Sequence, residues 1–118
     1  MEYDKSIIET HPLFIKNREL ITKYGIKSFL RDIGIFFEII PLVKPPNEKG
    51  ECILIGFNIE FEYRSYEMRD EKHYKMEQVE DYTTYETKEL AGTNLILKSF
   101  KIIENNKYFQ NRIDEISK

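Results

Sequence analysis

Tryptophan is absent from this 118-residue chain, and cysteine occurs once, at Cys52. A lone cysteine closes no internal disulfide, so nothing in the sequence argues for an oxidising compartment. Histidine is almost as scarce, with only His11 and His73. One thiol and two imidazoles supply no CxxC, HxxxH or HExxH spacing, and no metal is expected. Glycine occurs five times but never as GxGxxG or GxxxxGK, whose backbone amides cradle phosphates. ATP-, GTP- and NAD-type functions are therefore not expected, and no cofactor is implied. Long apolar runs are missing too. The longest, from Ile33 to Val43, is interrupted by Gly34, Glu38 and Pro41, too short and too broken to span a membrane. The first ten residues carry Glu2, Asp4 and Glu9 and do not read as a signal peptide. The expected location is cytoplasmic, including incorporation into a virion.

What is present is an ordinary globular balance, 41% apolar and 33% charged residues, which excludes a disordered chain. The length is that of one domain, read as spanning residues 1–118, and such a domain buries roughly two thirds of its unfolded surface. The net charge of −3 is unevenly spread. Residues 1–44 hold seven basic and six acidic side chains (+1), residues 45–92 six and twelve (−6), and residues 93–118 five and three (+2). The acidic central block argues against direct nucleic-acid binding, which needs clustered Lys and Arg. It suits either a solvated face or a docking surface for a basic partner.

Pro12 and Gly25 bracket a first helix, with His11 as a weak N-cap and Lys16, Asn17, Glu19 and Lys23 on its polar side. Ile26, Phe29, Leu30 and Ile33 then follow the i, i+3, i+4, i+7 rule, and Gly34 ends this second helix. Residues 35–43 read as a mostly buried strand, with Pro41 at an edge or bulge. The loop 44–50 makes a long-looped hairpin with the next strand. There Ile53, Ile55, Phe57, Ile59, Phe61 and Tyr63 alternate without a break, which predicts one core face and one wet face. Residues 67–73 read as a charged turn and 74–87 as a third strand, its alternation slipping between Met76 and Val79 as at a bulge. Leu90-Ala91-Gly92 reads as a turn and 94–104 as a fourth strand. Phe109, Ile113 and Ile116 line one side of a short closing helix. The expected fold is α+β: two N-terminal helices, a four-stranded antiparallel β-meander and a short C-terminal helix.

Few residues offer chemistry. Cys52 abuts the apolar residues 53–55 and reads as a small buried thiol, not a nucleophile. Glu67, Asp70, Glu71 and His73 lack the glycine and ligand register of a calcium loop. Residues 56–61 alternate aromatics as RNA-stacking strands do, but Ile55 stands where a cation belongs, and Glu60 and Glu62 repel phosphate. Glu60 and Glu62 share one strand face about 7 Å apart. Acid–base work by such a pair would need a deep pocket that separates their pKa values.

Tyr63, Tyr66, Tyr74, Tyr82 and Tyr85 all fall in the acidic block. Tyrosine suits half-buried sheets and is also enriched at protein interfaces. With no catalytic constellation, the expected function is non-catalytic protein–protein interaction. The form expected first is a small subunit of a larger assembly, such as a phage or viral structural component. The alternative is a small acidic inhibitor, of the toxin-immunity or viral anti-defence kind, that blocks a basic site. The candidate contact residues are Glu60, Glu62, Tyr63, Tyr66, Tyr74, Glu77, Glu80, Tyr82 and Tyr85, and the expected partners are other proteins, in a homo-oligomer or a hetero-assembly.

Overall fold

The computed structural model describes the backbone of residues 1–66 and 74–118, with side chains at 1–63 and 83–118. The charged turn expected at 67–73 lies outside the described residues. Helices and a sheet are combined as expected of an α+β chain, but in a different arrangement. Six helices and one three-stranded antiparallel sheet are present among the described residues.

The N-terminal third is helical in four pieces. Asp4 caps α1 (Lys5–Ile8), its Oδ1 accepting from the Ser6 amide at 3.0 Å and from the Ser6 hydroxyl at 2.6 Å. The single helix expected between Pro12 and Gly25 is two, α2 (Pro12–Lys16) and α3 (Arg18–Tyr24). The break is Asn17, with φ −111° and ψ 20°. Its Nδ2 donates to the Leu13 carbonyl at 2.9 Å, an instance of an amide side chain competing with the helix backbone. Asn17 is thereby buried, not part of a polar face as its spacing implied. His11 caps α2 effectively, its Nδ1 accepting from the Leu13 amide at 3.1 Å. Helix α4 (Ile26–Ile33) matches expectation: Ile26, Phe29, Leu30 and Ile33 are all buried, and Gly34 ends the helix at φ +107° in the left-handed region.

The sheet runs β1 (Ile35–Val43), β2 (Leu54–Tyr66), β3 (Tyr74–Tyr85), in that spatial order. Pro41 lies on edge strand β1, opposite Phe57, where a missing amide is tolerated. Between β2 and β3 the register is unbroken from Tyr66–Tyr74 to Ile59–Asp81, so no bulge falls at Met76–Val79. The irregularity lies farther along, between Ile59–Asp81 and Phe57–Tyr85, where β3 carries the extra residues. Gly56 sits beside it. A Cβ there would lie 2.6 Å from the Tyr85 carbonyl oxygen, so glycine permits this close strand approach.

The largest departure from expectation is α5 (Lys88–Glu104), a 17-residue helix where a turn and a fourth strand were read. Residues 94–104 carry apolar side chains on both faces of a notional strand, so a period of two does not discriminate. A helical period does: Ala91, Leu95 and Ser99 form one buried row, with Ile96, Phe100 and Ile103 beside it. Thr87 begins the helix, its Oγ1 accepting from the Leu90 amide at 3.1 Å. Gly92 is not a turn residue but the point where the chain start crosses α5; a Cβ there would collide with the Glu2 carbonyl oxygen. The adjoining Asp4 amide donates to Thr93 Oγ1 at 2.8 Å. The closing helix is as expected, α6 (Lys107–Ile116), with Phe109 and Ile113 buried and Ile116 packed against the core.

Helices α4, α5 and α6 pack on one face of the sheet, called inner here. Ile35, Phe29, Phe100 and Phe109 anchor the main core. Phe57, Ile59, Tyr85, Ala91 and Leu95 form a second cluster, and Phe37 packs against both. Each fully buried large side chain stabilises by about 1.5–3 kcal/mol in transfer terms, so these rings dominate the fold's energetics.

Candidate interaction surface

A half-buried sheet places alternate residues on opposite faces. On β1, Ile35, Phe37 and Ile39 face the helices, which puts Phe36, Glu38, Ile40 and Leu42 on the outer face. On β2, Phe57, Ile59 and Phe61 are buried, which puts Asn58, Glu60 and Glu62 outside. Glu38 and Glu60 are exposed, and Glu62, Ile40, Leu42 and Asn58 are half-buried. The register sets Glu38 opposite Glu60, and Glu60 opposite Glu80 of β3. Three glutamate positions therefore form one row across the strands. Directly opposed residues hold their Cβ atoms about 4.5–5.5 Å apart, and like charges so placed destabilise a sheet. Among the described residues no hydrogen bond or ion pair reaches the carboxylates of Glu38 or Glu60.

Beside this row lies an open cleft of about 400 Å³. Glu38, Glu60 and Glu62 line it together with Lys27 and Arg31 of α4. The Lys27 ammonium sits 5.7 Å from the centre of the Phe37 ring, and Arg31 reaches Ser28 Oγ at 3.5 Å. Glu60 and Glu62 thus share a cleft, but an open one that also holds two cations.

The hairpin joining β1 and β2 makes a second surface. Lys44 N donates to the Ile53 carbonyl at 2.9 Å, and Asn47 and Gly50 close the turn. Val43 pairs with Leu54. Val43, Ile53, Leu54 and Ile55 are each half or more exposed, at 56, 52, 53 and 50%. Single exposed apolar residues are commonplace on proteins, whereas four gathered at one hairpin end are not. Cys52 adjoins it and is exposed, against the expectation of a buried thiol. Among the described residues no helix covers this end of the sheet.

The candidate contact residues do not form one surface. Glu60 and Glu62 stand on the outer face. Tyr63 is on the inner side, its ring meeting Phe109 edge-on at 6.0 Å, and Tyr85 is buried in the second cluster. Tyr66, Tyr74, Glu77, Glu80 and Tyr82 have side chains outside those described; the register sets Tyr66 opposite Tyr74 and Tyr63 opposite Glu77. Sequence reasoning missed Glu38, whose signal was an acid alone in the apolar run 35–43. It also missed the hairpin patch, because exposure there depends on where the helices stop.

His11 is engaged structurally. Its ring lies 4.7 Å from the Phe100 ring, and Nε2 is 3.4 Å from Glu104 Oε1. With Nδ1 accepting a backbone amide, Nε2 is the protonated nitrogen. His73 lies outside the described residues. Burial, and then the charge of Glu9, push the Tyr3 phenol above its ordinary pKa. Among the described residues no group of three or more His, Cys, Asp or Glu is placed to hold a metal ion. No buried side-chain nitrogen or oxygen among them lacks a partner. No helix among them is long and apolar enough to cross a membrane. Set beside known proteins, the chain matches no family model, no curated protein and no solved structure.

Proposed function

We propose that this protein acts by binding other proteins, without catalysis, as a small subunit of a larger assembly such as a phage or viral structural component. The observation that carries this reading is the apolar hairpin end, Val43 with Ile53, Leu54 and Ile55, left half exposed. Water contact over such a patch is unfavourable by roughly 25 cal/mol for each Å² of apolar surface, and a neighbouring subunit relieves it. The location is cytoplasmic, with incorporation into a virion. Light scattering of the untagged protein over a range of concentrations tests the proposal. A defined oligomer that dissociates in V43S/L54S/I55S, or a stable co-assembly with a co-encoded protein lost in the same variant, is the expected result. A concentration-independent monomer inert towards every co-encoded protein defeats it.

The row formed by Glu38, Glu60 and Glu80 favours a second reading, an acidic inhibitor of the toxin-immunity or anti-defence kind that occupies a basic site. Charge reversal along that row should then abolish inhibition while leaving the fold intact.

A further inference from the structure

We infer that the outer face of the sheet is a docking surface for a segment of a partner protein carrying lysine or arginine at one end and aliphatic side chains at the other. The inference rests on the protein-binding reading above and names the partner's chemistry. Three features converge on it. First, Glu38 and Glu60 face each other across the strands, both exposed, their carboxylates without an ion-pair or hydrogen-bond partner among the described residues. A bound cation turns that repulsion into attraction, so a basic side chain complements the Glu38–Glu60 pair. Second, the same face of β1 continues from Glu38 into Ile40 and Leu42, which are half-buried and belong to neither core cluster. It ends at Leu42, beyond which the β1–β2 register shifts before Val43 pairs with Leu54. The surface thus passes from acidic to apolar over about 13 Å of strand. Third, α4, α5 and α6 pack on the inner face, and no described helix covers Ile40 or Leu42.

Polarity and spacing narrow the occupant further. The acidic pair Glu38–Glu60 lies at one end of the face, and Ile40 and Leu42 follow towards the hairpin. A cationic group therefore seats over Glu38 and Glu60, with the aliphatic end directed towards the hairpin. Glu60 is about 5 Å from Glu38 across the strands and about 7 Å from Glu62 along one. Cations four residues apart on a helix, about 5–6 Å between Cβ atoms, match that grid. The same carboxylates repel nucleic acid and anionic lipid, which leaves a basic protein segment as the occupant.

The test is a titration of the isotope-labelled full chain with three synthetic helical peptides, followed by amide chemical shifts. One peptide carries lysines in its first half and leucines in its second. Another replaces the leucines with serines at equal charge, and the third replaces the lysines with glutamates. The Lys/Leu peptide should shift the amides of residues 38–42 and 58–62, and bind more weakly as salt rises. Its Kd should rise about tenfold in E38K/E60K and by a smaller factor in both E38Q/E60Q and I40S/L42S, with circular dichroism unchanged. Equal binding of the Lys/Ser peptide, indifference to E38K/E60K, or no binding of the Lys/Leu peptide overturns the inference. Shifts confined to Val43 and residues 53–55 overturn it while leaving protein binding through the hairpin end intact. A concentration-independent monomer that responds to no peptide and binds no co-encoded protein overturns both.

Discussion

The two ends of β2 are alike in sequence and opposite in fate. Ile53 and Ile55 begin the same alternation that continues through Phe57, Ile59 and Phe61, yet the first two are half exposed and the last three are buried. Part of the difference is in the strand, since Ile53 precedes β2 and Ile55 falls at the shift in register between the Leu42–Gly56 and Val43–Leu54 pairs. Leu95 and Ala91 of α5 lie against Phe57 and Ile59, and nothing among the described helices reaches Ile55. Alternation tells a strand which side to bury and is silent about how far the covering layer extends. The uncovered remainder is where an interaction surface arises without any chemical motif.

That contrast can be broken most forcefully by removing the same side chain from each end. Ile59→Ala should cost about 2–5 kcal/mol in chemical denaturation, whereas Ile55→Ala should fall within about 0.5 kcal/mol of the parent. Equal costs would mean that the hairpin end is packed in solution. Gly92→Ala probes cover from the other side, because its Cβ collides with the Glu2 carbonyl. The chain start should detach from α5, the amide of Asp4 should lose its protection from hydrogen exchange, and stability should fall by about 1–3 kcal/mol. Unchanged protection would show that residues 1–4 do not pack there.

The outer face should respond with the opposite sign. Glu38→Gln removes a like charge opposed to Glu60, so the isolated protein should gain about 0.2–1 kcal/mol at low ionic strength. The gain should shrink as salt is added. A loss instead would mean that Glu38 has a stabilising partner. The smallest effect belongs to Asp4. The Ser6 hydroxyl, foremost, and the Ser6 and Ile7 amides hold its carboxyl below the ordinary value, against a smaller opposing push from desolvation. A depressed carboxyl stabilises above its unfolded pKa, and that contribution disappears as pH falls through the folded value. The gap between the parent and Asp4→Ala in exchange protection of α1 should therefore be widest at neutral pH and narrow below about pH 4. A gap that widens on acidification would reverse the assignment.

Much of this fold was legible in the sequence. The Ile26, Phe29, Leu30, Ile33 stripe and its terminating Gly34 are local signals, complete within one helix. The three observed strands carry branched and aromatic residues that suit a pleated surface. The fourth strand failed because Leu95, Ile96, Leu97, Ile102 and Ile103 are apolar at both parities, so local pattern left strand and helix nearly degenerate. Packing of Leu95, Ile96 and Phe100 across the sheet resolved it as α5. Asn17 was misplaced for a related reason: a polar residue at helical spacing looks solvated until its amide is seen bonded to Leu13.

The candidate surface divides the same way. Sequence alone determined an acidic centre, one strand with a wet face bearing Glu60 and Glu62, and the absence of the usual metal and phosphate motifs. Only the tertiary structure decided that Glu38 stands opposite Glu60, that Tyr85 is buried against α5, and that the hairpin end lies bare. Strand register and helix cover join residues far apart in the chain, and local propensity and periodicity carry no information about either.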